Sequence, residues 1–381
     1  MNLPLPDNYE FLNISPHGSG RNAMENFYAK NKIYYQQLCW ANSGFDRYVC
    51  NYYSLIKNQY FYCIIIISEY HFKDLNKFFY SITKKVPVLF FTRDPIGVIK
   101  HAINGIRTFY DNQQGINITL KDKNFDFLFK NIYFWKYIKD NGTVVGEQCS
   151  SNIPVLENIK PYLKSRGFEA SNFFQNSILK SLKHCTKELY FIDINDITKN
   201  RINQTMSYFA KQFGFNLNKN QKSYNQTIYH PINALLPFIL NISNNLKIII
   251  TTYQKNIRKN RNRIKDFCDF DLKYDNIYID IEDKEIKILK QNMLLFLEVK
   301  NYIKEFICAL EKKIDEFENK KINEIDILIY IKKDRDLMLS LKKIFDQELA
   351  CIKQHRPDIV ASWKYYQEFE KMCEELDSQL V

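Results

Sequence analysis

The first candidate for chemistry is a glycine-bearing loop near the start of the chain, Pro16-His17-Gly18-Ser19-Gly20-Arg21-Asn22. It lies between a predicted strand, Phe11–Ser15, and a predicted helix, Ala23–Leu38. Backbone N–H groups of such a loop, together with the positive end of the helix, bind anions, and glycine lets the backbone approach a phosphate closely. The pattern G-x-x-x-x-G-K-[ST] is absent, which disfavours an ordinary P-loop ATPase or GTPase. The alternative is a tight turn in which glycine only supplies a positive φ.

The second candidate is an arginine that follows a buried strand. Val86–Thr92 predicts a strand buried on both faces, and Arg93-Asp94-Pro95 follows it directly and opens a helix. Open α/β sheets bind ligands at the carboxyl ends of their strands, and a planar guanidinium group suits a phosphate. The alternative is an Arg–Asp pair that only caps the helix.

The third candidate is a histidine after the most apolar run of the chain, Tyr60–Ser68. His71 could act as a general base, because an imidazole pKa near neutrality suits the removal of a hydroxyl proton. Glu69 is the second choice for this role, and a purely structural histidine is the alternative.

The elements that must position these residues alternate between strand and helix over about the first 215 residues. This alternation predicts an α/β fold with a parallel sheet. Gly214 is expected to end a helix as its C′ residue. Further predicted elements are helices over Phe72–Ile82, from Pro95 to about Phe109, and over Thr198–Phe213, a polar loop over Asp111–Asn124, an aromatic helix over Phe125–Lys139 and a strand over Leu189–Ile194.

The composition changes after about residue 225. Gln254–Lys265 carries six basic residues and no acidic one, and long predicted helices follow, over Lys284–Lys320, Asn323–Gln354 and Asp358–Leu376. The predicted domains are a catalytic domain over 1–225, a connecting region over 226–283 and a helical C-terminal domain over 284–381. One helix face is marked by apolar residues three and four apart, at Ile303, Phe306, Ile307, Leu310, Ile314 and Phe317.

Composition limits the function classes. The 381 residues are 45% hydrophobic, which excludes wholesale disorder, and the net charge of +11 favours an anionic partner. A nucleotide, a polyanionic glycan, a membrane surface or a nucleic acid would each fit, and the charge alone does not choose among them. Of these partners we do not expect nucleic acid. Nine cysteines without a C-x-x-C pair indicate neither a disulfide framework nor a zinc knuckle. With no signal-peptide pattern at the N-terminus, we expect a cytoplasmic location.

Together, the motifs over about residues 9–216 resemble those of the sulfotransferases, α/β proteins with a P-loop-like topology that use 3′-phosphoadenosine 5′-phosphosulfate (PAPS). His71 precedes Arg93 by 22 residues, similar to the interval between base and arginine in the cytosolic branch. A late segment, Leu189–Ile197 with Phe213-Gly214-Phe215, also looks like that family's. His101 stands where the family has a serine eight residues after the arginine.

This resemblance implies a role for each candidate residue. The 5′-phosphosulfate would be held by the loop, and the 3′-phosphate by Arg93 with His101. The acceptor hydroxyl would be activated by His71 or Glu69, and the leaving group would be neutralised by Arg21. No metal is expected. The loop residues concerned are His17, Gly18, Ser19, Gly20, Arg21 and Asn22.

Two C-terminal stretches, Lys353–Val360 and Ser362–Cys373, resemble a different, uncharacterised family of Campylobacter-type bacteria. Relatives of that family occur among capsule-biosynthesis transferases. The resemblance implies that a donor other than PAPS, such as a CDP-linked phosphoramidate, could occupy the same kind of site.

The sequence therefore predicts a bacterial transferase that moves a sulfuryl or related phosphoryl-type group from a nucleotide donor to a sugar hydroxyl of a capsular or other surface glycan. Three alternatives stay open: a phosphoramidate-type transferase with a CDP-linked donor, a metal-dependent glycosyltransferase using Asp269-Phe270-Asp271, and a non-catalytic scaffold of glycan assembly. The basic helical region suggests a peripheral contact with the inner membrane or with capsule-assembly proteins, and the C-terminal helices suggest a homodimer.

Overall fold

A computed structural model of the chain describes residues 1–378 except 2, 17, 37–42, 58–60, 68–72, 109–114, 141–142, 165–175, 199, 218–229, 244–245, 253–261 and 275. Three predicted site residues, His17, Glu69 and His71, lie outside the described residues. So does most of the basic segment Gln254–Lys265.

The described strands, in chain order, are β1 (Phe11–Ser15), β2 (Cys63–Ile67), β3 (Val86–Thr92), β4 (Ile106–Thr108), β5 (Ile116–Thr119), β6 (Ile132–Asp140), β7 (Thr143–Ser151), β8 (Thr186–Asp193), β9 (Phe238–Ser243), β10 (Leu246–Thr252) and β11 (Ile277–Asp280). The described α-helices are α1 (Arg21–Lys30), α2 (Gly44–Lys57), α3 (Leu75–Tyr80), α4 (Pro95–Ile103), α5 (Phe125–Leu128), α6 (Ile159–Lys164), α7 (Asn176–Ser181), α8 (Ile202–Phe213), α9 (His230–Leu235), α10 (Ile264–Phe267), α11 (Asp283–Gln291), α12 (Met293–Asn319), α13 (Glu324–Lys332), α14 (Arg335–Glu348), α15 (Ala350–His355), α16 (Pro357–Ser362) and α17 (Lys364–Ser378).

A four-stranded parallel sheet organises the first of two compact units, the parallel-sheet unit (residues 1–103, 156–225 and 322–381). Its strand order is β2-β1-β3-β8. Every residue of β1 is buried, as expected for a central parallel strand covered on both faces. Because all four strands run the same way, their carboxyl ends lie along one edge. The predicted α/β fold with a parallel sheet is confirmed.

Helices cover both faces of this sheet. On one face Phe11, Phe91 and Ile192 share a core with Met24 and Phe27 of α1 and with residues of α8. On the other face of the sheet, the ring centroids of Phe90 in β3 and Phe191 in β8 lie 5.7 Å apart. Phe191 also contacts the ring of His355 in α15. The C-terminal helices therefore pack on this sheet.

Two hydrogen-bonded contacts fasten the C-terminal helices to the ends of β3 and β8. The indole N–H of the buried Trp363 donates to Asp193 Oδ2 at 2.7 Å. The backbone N–H groups of Tyr365 and Tyr366 donate to Asp94 Oδ2 at 3.0 and 3.2 Å. The C-terminal region is helical as predicted, but residues 322–381 group with the parallel sheet rather than with residues 284–321.

The mixed-sheet unit (residues 104–155 and 226–321) contains a sheet of order β11-β10-β9-β5 and an antiparallel sheet of order β4-β6-β7. Its core includes one face of α12, and the six apolar residues predicted for that face are all buried. The two units thus divide the chain differently from the predicted domains 1–225, 226–283 and 284–381, because each unit is assembled from separated segments.

The predicted aromatic helix over Phe125–Lys139 is wrong. The helix ends at Leu128, and β6 pairs with β4 and β7. Ile132 and Phe134 are buried, whereas Tyr133 and Trp135 are half-buried, so burial follows the two-residue period of a strand. Aromatic and β-branched side chains fit a pleated, half-buried surface well, and this preference outweighs the helix-like spacing.

Among the helices of the described residues, none is both long enough and apolar enough to cross a bilayer.

The Trp363–Asp193 contact leads to a stability prediction. Trp363→Phe removes the N–H donor from a buried carboxylate, so we expect a loss of about 1–3 kcal/mol in the free energy of unfolding, measured by urea denaturation. In an Asp193→Ala background the same substitution should cost less, because the acceptor is already absent. Equal costs in the two backgrounds would show that the hydrogen bond contributes nothing.

Candidate functional site

The loop between β1 and α1 is a tight turn with two residues in the left-handed region. Gly18 has φ +66° and Gly20, which begins α1 as its N-cap, has φ +98°. Ser19 is buried between them, and its hydroxyl donates to the carbonyl of Pro16 at 2.7 Å. The sequence folds this way locally because glycine adopts a positive φ without the steric cost that a Cβ brings. The loop therefore delivers the N-terminus of α1, with its positive dipole end, to the edge of the sheet.

Arg93 reaches this loop from the end of β3. Its Nη1 donates to the carbonyl oxygen of Gly18 at 2.8 Å. The side chain passes over Gly97 of α4, where a Cβ would lie only 2.9 Å from Arg93 Nε. Gly97 thus leaves the space that the guanidinium needs. A guanidinium carries five N–H donors, so the bond to Gly18 does not exhaust its capacity for a phosphate.

Two further side chains close over the glycines. The His101 ring of α4 packs on Gly18, where a Cβ would lie 2.9 Å from His101 Cδ2. The δ-methyl of Ile197, in the 3₁₀ turn after β8, lies over Gly20, where a Cβ would approach it to 2.4 Å. The glycine loop, the segment that carries Arg93 and His101, and the turn at Ile197 therefore meet at the carboxyl edge of the sheet.

Arg21 and Asn22 lie in the first turn of α1. Arg21 forms an ion pair with Glu25, at 3.2 Å between Nη1 and Oε1, and its Nη2 donates to Asn22 Oδ1 at 3.0 Å. Burial raises the pKa of Glu25, and the Arg21 charge opposes that rise. The positive charge of Arg21 beside the loop is therefore already paired with the carboxylate of Glu25.

The C-terminal region contributes charge to the same site. Lys100 Nζ, one residue before His101 in α4, is 2.6 Å from Glu324 Oε1 at the start of α13. Burial lowers the pKa of the Arg93 guanidinium, while nearby carboxylates, Glu324 foremost, act in the opposite direction. The site thus contains the half-buried guanidinium of Arg93, whose positive charge is balanced by nearby carboxylates.

Two of those carboxylates, Asp94 and Asp193, are structural in a way the sequence did not show. Asp94 accepts from the backbone N–H of Ile96 at 2.9 Å and also holds the start of α17. Burial raises the pKa of both Asp94 and Asp193, and their hydrogen bonds act against that rise. The sequence signal that could have revealed this contact is Trp363, one of only three tryptophans in the chain.

The structure brings together part of the predicted site. Gly18, Gly20, Arg93 and His101 meet around the loop, with Ser19 buried inside it. The base candidates lie outside the described residues, but β2, which leads to them, pairs in parallel with β1 up to Ser15↔Ile67. Gly97 and Glu324 belong to the site and were missed.

A metal centre receives no support at the D-x-D motif. Asp269 is 2.6 Å from Lys304 Nζ and 3.9 Å from Lys300 Nζ, and the hydrogen bond to Lys304 lowers its pKa. Within the described ranges of the chain, no group of three or more His, Cys, Asp or Glu side chains could hold a metal ion.

Comparison with known proteins bears on the C-terminal half. Residues 191–376 match the family model described as "Protein of unknown function (DUF2972)". The match covers both C-terminal stretches that resemble an uncharacterised family, and the resemblance to the sulfotransferases stays a prediction. No curated protein and no solved structure matches the chain significantly. The matched segment begins inside β8 and ends inside α17, so it contains Asp193 and Trp363 but not Arg93 or the glycine loop.

The packing of His101 on Gly18 can be tested against an internal control. Gly214 has a similar φ of +77°, but no atom lies within 4 Å of the place a Cβ would occupy, so Gly214→Ala carries only the backbone cost, about 1–2 kcal/mol. Gly18→Ala should cost about 1–3 kcal/mol more in unfolding free energy, because the methyl group meets the His101 ring. A His101→Ala background should remove that excess, and an equal loss at both glycines would contradict the packing.

The raised pKa of Asp94 predicts a pH dependence of stability. The folded protein holds this proton at a higher pH than the unfolded chain, so the contribution of Asp94 falls as the pH rises above its ordinary pKa of 3.8. The stability advantage of the unsubstituted protein over Asp94→Asn should therefore shrink as the pH is raised from about 4 towards 7, measured by urea denaturation. An advantage that grows over this interval would show that the pKa is lowered instead.

Proposed function

We propose that the protein is a transferase that binds a nucleotide-activated donor at the β1–α1 loop and moves a sulfuryl or related phosphoryl-type group to a sugar hydroxyl of a surface glycan. The observation that supports this most is the convergence of the Gly18–Gly20 loop, Arg93 and His101 at the carboxyl edge of the parallel sheet. This is the edge at which open α/β sheets bind ligands.

The loop supplies the features that bind an anion. The N-terminus of α1 directs its first backbone N–H groups and positive dipole end outward from Gly20. Arg93 adds a guanidinium whose position is fixed by Gly18 and Gly97. His101, which lies one turn after Gly97 in α4, adds a second group able to donate to a phosphate. In this proposal Arg93 and His101 anchor the nucleotide of PAPS or of another nucleotide-activated donor.

The transfer step would proceed without a metal ion. The acceptor hydroxyl oxygen forms a bond to sulfur or phosphorus, and the bond from that atom to the leaving nucleotide oxygen breaks. His71, or failing that Glu69, takes the acceptor proton. The loop N–H groups and Arg21 would stabilise the negative charge that develops on the leaving oxygen. Arg21 could do so only in competition with Glu25, which already pairs with it.

A non-catalytic role in glycan assembly is the second candidate, and one observation favours it. Two carbonyl oxygens of the loop are already engaged, since Ser19 Oγ donates to that of Pro16 and Arg93 Nη1 donates to that of Gly18. An Arg93 side chain held by the loop backbone is compatible with a scaffold that has lost its donor.

Calorimetric titration of the purified protein with adenosine 3′,5′-bisphosphate tests the proposal, with CDP as the comparison ligand. We expect saturable binding that Arg93→Ala weakens by about 1–3 kcal/mol, the range for losing a charge-assisted hydrogen bond. Gly97→Ala should weaken binding as well, because its methyl group displaces Arg93, although alanine favours the helix by about 1 kcal/mol. Arg335→Ala, an exposed arginine of α14, is the matched control and should bind normally.

The other outcomes separate the alternatives. Binding of CDP alone would indicate a phosphoramidate-type transferase with a CDP-linked donor. Binding of neither nucleotide would contradict donor binding at this loop and favour the scaffold. Binding that Arg93→Ala and Gly97→Ala leave unchanged would place the nucleotide elsewhere.

A further inference from the structure

The turn between α11 and α12 exposes a cluster of large apolar side chains, here called the apolar knuckle. It consists of Ile288 (58% exposed), Met293 (59%), Leu294 (83%) and Leu297 (47%). Leu294 is the most exposed large apolar side chain among the described residues. Single exposed leucines are ordinary, but four such side chains within ten residues of one turn form a patch of the kind that marks an interaction surface.

The knuckle is held in place by its neighbours. Asn292 caps α12 by accepting from the backbone N–H of Leu295 at 3.2 Å. Phe296 points inward, with its ring centroid 6.0 Å from that of Phe267 in α10. Because these contacts fix the turn, the outward side chains are presented by a structured element.

Positive charge adjoins the knuckle. Helix α10 contacts both helices of the turn: Asp266 accepts from Lys290 of α11 at 2.8 Å, and Phe267 packs on Phe296. Lys265 and Lys287 are exposed.

The acidic side chains of α11 are already engaged. Asp283 pairs with Arg263, and Glu285 accepts from the backbone N–H of Glu282 at 3.0 Å. Glu298 of α12 is an exposed acid nearby. Four lysines of α10 and α11 stand against three acidic residues, so these two helices carry a net charge of 4 − 3 = +1.

We propose that the apolar knuckle inserts into the headgroup region of an anionic lipid bilayer, while Lys265 and Lys287 contact lipid phosphates. A protruding apolar turn beside cations is the combination that binds such a surface, since apolar burial and electrostatic attraction add. The proposal concerns the mixed-sheet unit alone and does not rest on donor binding by the parallel-sheet unit.

Co-sedimentation of the full chain with vesicles tests this. The protein should bind vesicles that contain phosphatidylglycerol. The double variant Leu294→Asp with Leu297→Asp should bind at least about tenfold more weakly, because two leucines no longer enter the apolar layer. Ile153→Asp is the matched control, since Ile153 is 59% exposed in the same unit, and it should bind normally. Circular dichroism of each variant verifies that it is folded.

A second double variant tests the electrostatic contribution to vesicle binding. Lys265→Glu with Lys287→Glu should weaken binding to phosphatidylglycerol vesicles and should matter less at high salt, because salt screens exposed charges. Failure of the unsubstituted protein to bind, or binding by the leucine variant equal to that of Ile153→Asp, would overturn the proposal. Sedimentation velocity that shows a dimer lost in the leucine variant, with no vesicle binding, would overturn it in favour of self-association.

Discussion

The carboxylate of Asp94 accepts hydrogen bonds from two helices that are distant in the sequence, at Ile96 in α4 and at Tyr365 and Tyr366 in α17. A half-buried carboxylate needs such donors, because removing it from water without them is costly. Its neighbour Arg93 turns the other way, over Gly97, to hold the carbonyl of Gly18. Two consecutive residues at the end of β3 therefore fix both the glycine loop and the C-terminal helices, and the geometry of the candidate site depends on them.

The second carboxylate, Asp193, extends this arrangement to the adjacent strand. Thr92 and Asp193 are partners in the parallel register of β3 and β8, so the anchor for Trp363 lies beside the residues that anchor α17. The segment that matches the family of unknown function contains Asp193 and Trp363, yet β8 pairs with β3, which lies outside that segment. Residues 191–376 thus supply part of the parallel-sheet unit, and the glycine loop and Arg93 complete it.

Sequence reasoning predicted the parts of the fold that local patterns determine. The sequence predicted β1 and β3 with their observed bounds, β3 from its apolar run, and Gly214, in the αL conformation, ends α8 as expected. The meeting of Gly18 with Arg93 was accessible too, because parallel strands bring their carboxyl ends to one edge. The roles of Gly97 and Glu324 could not be predicted from the sequence, because each depends on a contact between elements that no local pattern encodes. The aromatic stretch after Phe125 was misread because helix and strand spacings are ambiguous in short apolar runs.

A crystal structure of the protein with adenosine 3′,5′-bisphosphate would test whether the glycine loop and Arg93 form a nucleotide site. We expect one phosphate at the N-terminus of α1, beside Gly20, and the other within hydrogen-bonding distance of the Arg93 guanidinium. A nucleotide bound away from the carboxyl edge of the β2-β1-β3-β8 sheet would contradict the claim, and so would a structure in which Arg93 contacts only Gly18 while the nucleotide lies beyond its reach.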